Sequence, residues 1–388
     1  MLTTLVLASL ISAAGATDLA ATNYTTPTRK LTTAEYPVFS DDLDMAGLEV
    51  AIQRQIDLWT QSGLRGTVTL GGTKYSASKA KTSLQAFKQL IDQYTLCRKT
   101  KASAQCAGYL NGSIQAKFNV FAPELVQGDP RYGQKQDSLF TGYATQPITG
   151  SATPDDVNTH AIYAYPKAAA DQKQTRDAID FHGALSGKGL ELAYAPNLFD
   201  LYLLHIEGGG YVTMPNNVGF YLSYDGENKQ PFAWISKYML SKGYISNLST
   251  GAQRKYLRLH PEKWEEIYSQ CPSYVYFKVT TEPPNGVENI PVTPGRSVAT
   301  DNKLYAFKGL LTFVMSQRPV DTGVYDLEQE DPSLIPMQNF SRFFLDQDTG
   351  GAITGKGRAD IYFGQDDYAQ YAATYQQQTG NIYFLLLK

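Results

Sequence analysis

Residues 347–364 read QDTGGAITGKGRADIYFG, with two carboxylates, Asp348 and Asp360, spaced twelve apart among five glycines. The segment is too rich in glycine for a helix and too polar for a buried strand. It is either a surface loop or the floor of a cleft, where the backbone turns sharply and lets a bulky substrate come close. A carboxylic acid that protonates a glycosidic oxygen needs a raised pKa, which burial against apolar walls supplies. Asp360 has that context, between Ala359 and Ile361-Tyr362-Phe363 at the start of a strand-like run. Asp348 precedes Thr349-Gly350-Gly351, which suits a turn whose N–H groups its oxygens satisfy. Most glycosidases use two acids. Asp366, Asp367 and Glu207 are the other acids in turn or glycine-rich contexts.

Other chemistries find less support. There is no G-x-S-x-G elbow, and the cysteines and histidines are too scattered to nominate a triad. His160, His182, His205 and His260 form no H-x-x-x-H pair, so no metal site is expected. No G-x-G-x-x-G lies between a strand and a helix, and no cofactor is expected. Lysine and arginine number 34 against 37 acids, for a net charge of −3. That balance gives no reason to expect a nucleic-acid partner. Tyrosine is abundant, with 27 copies. Its flat ring with a polar tip suits strands, and it also suits stacking on a sugar face.

Around these residues the chain begins with MLTTLVLASLISAAGATDLA. Residues 2–16 are an apolar run ending in Ala14-Gly15-Ala16, which fits an export signal over residues 1–16. No cysteine follows the run, so no lipobox is seen. Export permits a Cys97–Cys106 disulfide, and three unpaired thiols is the alternative. Helical spacing runs over residues 48–59, through Leu48, Ile52, Ile56 and Trp59. A second helix over 78–98 carries Leu84, Phe87, Leu90, Ile91 and Tyr94. The pattern then turns β-like. Strands are expected over 138–151 and 199–214, the latter running into Gly208-Gly209-Gly210. Helix is expected near 238–244 and over 250–270, stopped by Pro272. Further strands follow over 273–279, around Leu304, 311–314 and 343–345, and over the last residues, with a short helix near 368–375. The alternation of a doubly wound parallel sheet is absent. The expected class is mainly β, a barrel or sandwich with helical decoration.

Five blocks in order make the reading specific. FTGY (140–143), HIEGGGYV (205–212), CPSYVYFK (271–278), IPVTPGRSVATD (290–301) and the glycine-rich segment itself resemble motifs of the MltA-type lytic transglycosylases, the membrane-bound lytic murein transglycosylase A family. The resemblance spans residue 40 to the end. It implies a double-psi β-barrel built from residues 17–146 and 282–388, with a β-rich domain, 147–281, inserted between its halves and a groove between the two. It also implies cleavage of the β-1,4 bond between N-acetylmuramic acid and N-acetylglucosamine in peptidoglycan. The muramic 6-hydroxyl replaces water as the nucleophile and leaves a 1,6-anhydro end. One aspartate acts first as acid and then as base, and the matching position is Asp360. Asp348, Gly350 and Gly351 match the supporting D-x-G-G piece. Thr141 and Tyr143 match groove positions beside the acid. Glu207, Gly208, Gly210 and Arg296 are carried over as contacts to the glycan or its stem peptides. The implied partners are peptidoglycan strands, with cell-wall synthesis or division proteins as further candidates. A monomer exported to the periplasm, with association to the outer membrane as a further expectation, completes the reading.

The sequence departs from the family at one telling place. Its Q-G-S-G is here Glu207-Gly208-Gly209-Gly210, an acid where the family has an amide. Two other functions stay open at this point. One is an inverting hydrolase using two acids and water, and the other is a peptidoglycan-binding module without turnover.

Overall fold

The computed structural model describes residues 23–125, 137–215, 218–283 and 285–388. The expected export signal lies outside them. Among the described residues, no helix is long and apolar enough to cross a membrane.

The two early helices form where the apolar spacing predicts. Leu48–Ser62 buries Leu48, Ile52, Ile56 and Trp59 along one face. Ala77–Thr100 starts where the Ser76 side chain accepts from the Lys79 N–H, and it buries Leu84, Phe87, Leu90, Ile91 and Tyr94. A third helix, Ser103–Lys117, follows. The Cys97–Cys106 disulfide joins it to the second, while Cys271 is free and buried.

These helices cover a closed six-stranded barrel. Its strands run in the order Leu310–Pro319, Met337–Asp348, Ser297–Thr300, Arg358–Tyr362, Ser138–Tyr143 and Gln377–Leu387, and the last pairs back onto the first. Parallel and antiparallel ladders mix. Arg358–Tyr362 is antiparallel to Ser297–Thr300 and parallel to Ser138–Tyr143. Side chains alternate in and out along a strand. Ala359 and Ile361 therefore enter the main hydrophobic core with Phe140, Val298 and Phe313. Arg358 and Asp360 are half-buried on the other face. The N-terminal segment is tied to this barrel by ion pairs, Asp41 with Arg296 and Asp42 with Arg342, each at 2.7 Å.

Between strand Ser138–Tyr143 and the rest of the barrel the chain builds a second sheet. Its order is Val275–Thr280, Gly219–Glu227, Gly209–Thr213 and Gln146–Thr149. It has its own core, with Ile148, Leu201, Val212, Leu222 and Phe277 among the buried members.

Three elements differ from the sequence reading. The expected strand over 199–214 is a helix, Leu198–Glu207, followed by strand Gly209–Thr213. Its nearly continuous apolar run fits either period, and the N-cap decides. Asn197 accepts from the N–H groups of Phe199 and Asp200 at 2.8 and 3.2 Å, which starts a helix. The expected helix over 250–270 is broken. Thr250–Leu259 ends at His260, and Pro261 opens a short turn before Trp264–Tyr268, because the residue before proline is pushed out of the helical region. Leu304 lies in a turn, its N–H bonded to the Asp301 carbonyl at 3.1 Å. The helix Asp367–Tyr375 and the closing strand Gln377–Leu387 form as expected.

Candidate active site

Asp360 sits in the middle of a barrel strand, directly opposite Thr141 on one neighbour and Ala299 on the other. Its Oδ1 accepts a hydrogen bond from the Thr141 hydroxyl, and a second from Arg358 Nη1 at 2.7 Å. Its Oδ2 has no partner among the described residues. The carboxyl group is thus held at one oxygen and free at the other. Arg358 precedes Asp360 by two residues on the same strand, so the pleat puts both side chains on one face. Sequence reasoning did not single out Arg358, although this period-two relation was available to it.

Asp348 ends the strand Met337–Asp348 and pairs with Ala299, next to a register shift. Its Oδ1 accepts from the Thr349 N–H at 2.8 Å, as the Asx reading expects. Its Oδ2 accepts from the Tyr143 hydroxyl at 2.9 Å. Burial pushes this carboxyl up to about 6, against the pull of those two donors. The Tyr143 hydroxyl is pushed well up by burial and by the Asp348 charge. Tyr143 lies opposite Tyr362, with ring centroids 5.1 Å apart. The Tyr362 hydroxyl in turn meets Thr145 at 2.7 Å. Strand Ser138–Tyr143 therefore gives each aspartate its own hydroxyl, from side chains two residues apart on one face. Gly350 and Gly351 form the turn after Asp348, with the Ile353 N–H closing onto the Gly350 carbonyl at 3.0 Å.

A third carboxyl, on the helix that leads into the second sheet, feels the charge of both. Glu207 ends the helix Leu198–Glu207, and Gly208 breaks it in the left-handed conformation at φ 71°. Burial, then the charges of Asp360 and Asp348, push Glu207 up to about 8. It has no hydrogen-bond or ion-pair partner among the described residues. The seam that brings it there is short. Gly210 pairs with Gln146, and one residue earlier the Thr145 N–H bonds to the Gly364 carbonyl at 2.8 Å.

Several expected contacts lie elsewhere. Gly208 is the helix stop. A Cβ on Gly210 would stand 2.5 Å from the Gln146 carbonyl, so that glycine lets two strands approach, and the space beside it is filled by protein. Arg296 is fully buried. Its guanidinium binds both oxygens of Asp41, at 2.7 and 2.9 Å, and the carbonyls of Ala46 and Phe343. It ties the N-terminal segment to the barrel and has no face for a stem peptide. His205 is also buried, packed between Tyr274 and Phe277.

One histidine and two acids, Asp177, His182 and Glu265, lie close enough to share an ion on an exposed surface of the second unit. That grouping is remote in sequence from the carboxylates above, and nothing else about it points to a ligand.

The chain can now be set beside known proteins. The family model for the MltA specific insert domain matches residues 139–278, and that for the 3D domain matches residues 296–386. The chain is 29% identical over 284 residues to the membrane-bound lytic murein transglycosylase A of Vibrio cholerae, covering 70% of this chain and 71% of that protein. Two solved structures share its fold. The crystal structure of Escherichia coli MltA with bound chitohexaose superposes with a TM-score of 0.67 at 21% identity, covering 92% of this chain and 94% of that one. The membrane-bound lytic murein transglycosylase of Agrobacterium tumefaciens gives 0.66 at 22% identity, covering 93% and 97%. The chain thus carries an MltA specific insert domain followed by a 3D domain, and it is homologous to membrane-bound lytic murein transglycosylase A.

Proposed function

We propose that this protein is a peptidoglycan lytic transglycosylase in which Asp360 is the acid and then the base. The observation that carries the reading is the Asp360 carboxyl, fixed at Oδ1 by Thr141 and Arg358, with Oδ2 lacking a partner among the described residues. The Vibrio relative is named for this activity, and the Escherichia coli structure holds an oligosaccharide. In the first step Oδ2 donates a proton to the glycosidic oxygen as the bond from muramic C1 breaks. In the second, the same oxygen takes the proton of the muramic 6-hydroxyl as that hydroxyl bonds to C1. No water is consumed, and the proton count on Asp360 is restored. Acid–base catalysis of this kind supplies about 10²–10⁴-fold. Holding the sugar and its own hydroxyl in attack geometry supplies more.

In this reading residues 17–146 and 282–388 form the barrel side of the groove, and the insertion 147–281 forms the other side. Thr141 and Tyr143 orient Asp360 and Asp348, and Glu207 meets the glycan from the insertion. The substrate places the protein in the periplasm, against the cell wall.

Asp348 and Asp360 flank Ala299 from the two strands beside it, and a pair of acids on one stretch of sheet favours one second reading, hydrolysis by two acids and water. Mass spectrometry of products released from purified sacculi separates the two. Products lighter by one water than the reducing species are expected, and reducing ends would establish hydrolysis instead. Asp360→Asn is expected to release at least about 10²-fold less product while still binding chitohexaose. Release at the wild-type rate by that variant would remove Asp360 from the mechanism. Absence of any product from the wild type, with the protein sedimenting on sacculi, would make it a binding module.

A further inference from the structure

Of the three carboxyls Asp348, Asp360 and Glu207, Glu207 alone lacks a protein donor among the described residues. Asp360 has Thr141 and Arg358, and Asp348 has Tyr143 and the Thr349 N–H. Glu207 has neither a donor nor a cation among the described residues. Its position works against a negative charge in three ways. It is the last residue of helix Leu198–Glu207, where the helix dipole presents its negative end. It feels the charge of two other carboxyls, Asp360 and Asp348. It is also half-buried, away from full hydration.

The surrounding charged groups do not relieve this. Arg358 is committed to Asp360, and Lys308 to Asp346. On its own helix, His205 is turned into the core between Tyr274 and Phe277. Tyr143 donates to Asp348. A carboxyl in such a place keeps its proton, and a protonated carboxyl is a hydrogen-bond donor where a carboxylate only accepts.

We propose that Glu207 enters the cleft as a neutral carboxylic acid that donates a hydrogen bond to an N-acetyl carbonyl oxygen of the bound glycan, and that loss of this proton weakens glycan binding. A carbonyl is the fitting acceptor because it has no hydrogen of its own to offer. The proton makes Glu207 equivalent to the amide found at this place in the family, with one difference. An amide donates at every pH, whereas Glu207 stops donating as it ionises and then adds a negative charge beside two other carboxyl groups. The inference deepens the transglycosylase reading and rests on it for the identity of the ligand.

The test compares the full chain with Glu207→Gln, using chitohexaose as the probe in calorimetric titrations from about pH 5.5 to 9.5. Around pH 6 the two proteins are expected to bind within about threefold of each other. By about pH 9.5, well above the Glu207 pKa of about 8, the wild type is expected to have weakened at least tenfold relative to the variant. Parallel affinity profiles would overturn the proposal.

A second readout needs no ligand. A group with a folded-state pKa near 8 and an unfolded value near 4.3 holds its proton longer in the folded protein. Wild-type stability therefore falls relative to Glu207→Gln as pH rises through that window, and the difference levels off above it. A melting-temperature difference that stays constant across the window would also overturn the proposal. Sacculus digestion near pH 6 checks the parent reading separately. Products there together with parallel binding profiles sink this inference alone. Absence of both products and chitohexaose binding sinks both.

Discussion

Thr141 and Tyr143 divide the work around the two aspartates. They stand two residues apart on one strand, so they share a face, and each reaches a different carboxyl. The Thr141 bond holds Asp360 in one orientation. A hydrogen bond to a charged group is worth about 1.5–3 kcal/mol. Thr141→Val keeps the shape and removes the hydroxyl, so kcat on sacculi is expected to fall roughly 10- to 100-fold with KM nearly unchanged. A change confined to KM would mean that Thr141 touches the glycan and leaves Asp360 alone. At this scale the sequence was legible for the strand that carries Asp360 and less so for its surroundings. Asp360 stands in a motif, and Arg358 follows from strand period. Arg296 was misread because an arginine in a glycine- and serine-containing turn carries no sign of its partner, and Asp41 lies 255 residues away. Nothing local distinguishes such a buried arginine from one that faces a substrate.

Elements were legible where one period dominated. The stripe through Leu48, Ile52, Ile56 and Trp59 gave its helix, and the alternation around Asp360 gave its strand. The run FDLYLLHIE was ambiguous because it is apolar at every spacing, and only the Asn197 cap separates helix from strand. A second element-scale feature was invisible in the sequence. Lys308 precedes the barrel strand Leu310–Pro319, and its Nζ lies 3.0 Å from Asp346 and 2.7 Å from the Thr300 hydroxyl, fully inside the barrel wall. Burial pushes Asp346 up, and Lys308 and Thr300 pull it down. Removing one partner leaves a buried charge unpaired, which costs about 3–5 kcal/mol. Lys308→Met is expected to lower stability to urea by that amount. A Lys308→Met, Asp346→Leu double variant is expected to recover much of it. A single variant as stable as the wild type would show that Asp346 takes up a proton at little cost.

At the scale of the whole molecule the cleft carboxyls set how stability depends on pH. Asp348 has a folded-state pKa near 6 and an unfolded value near 3.9. Between those values the folded protein holds more protons than the unfolded chain, so this group's contribution to stability falls as pH rises through the window and is constant above it. The melting temperature of Asp348→Asn is therefore expected to gain on the wild type from about pH 4 to about pH 6 and then to run parallel. A difference that shrinks over that range would mean that Tyr143 and the Thr349 N–H outweigh burial. Asp348 and Glu207, both raised by burial, lower stability at neutral pH, as groups at functional sites often do.

The order of strands in the barrel has a consequence for synthesis. Strand Ser138–Tyr143 is made early, yet both of its neighbours, Arg358–Tyr362 and Gln377–Leu387, come from the last part of the chain. Such long-range pairing is slow to form, and here it cannot begin until residues 358–387 are being made. Thr141 and Asp360 therefore meet only after strand Arg358–Tyr362 has emerged. A chain cut short before that strand leaves Thr141 without Asp360, so this pairing is among the late events of synthesis.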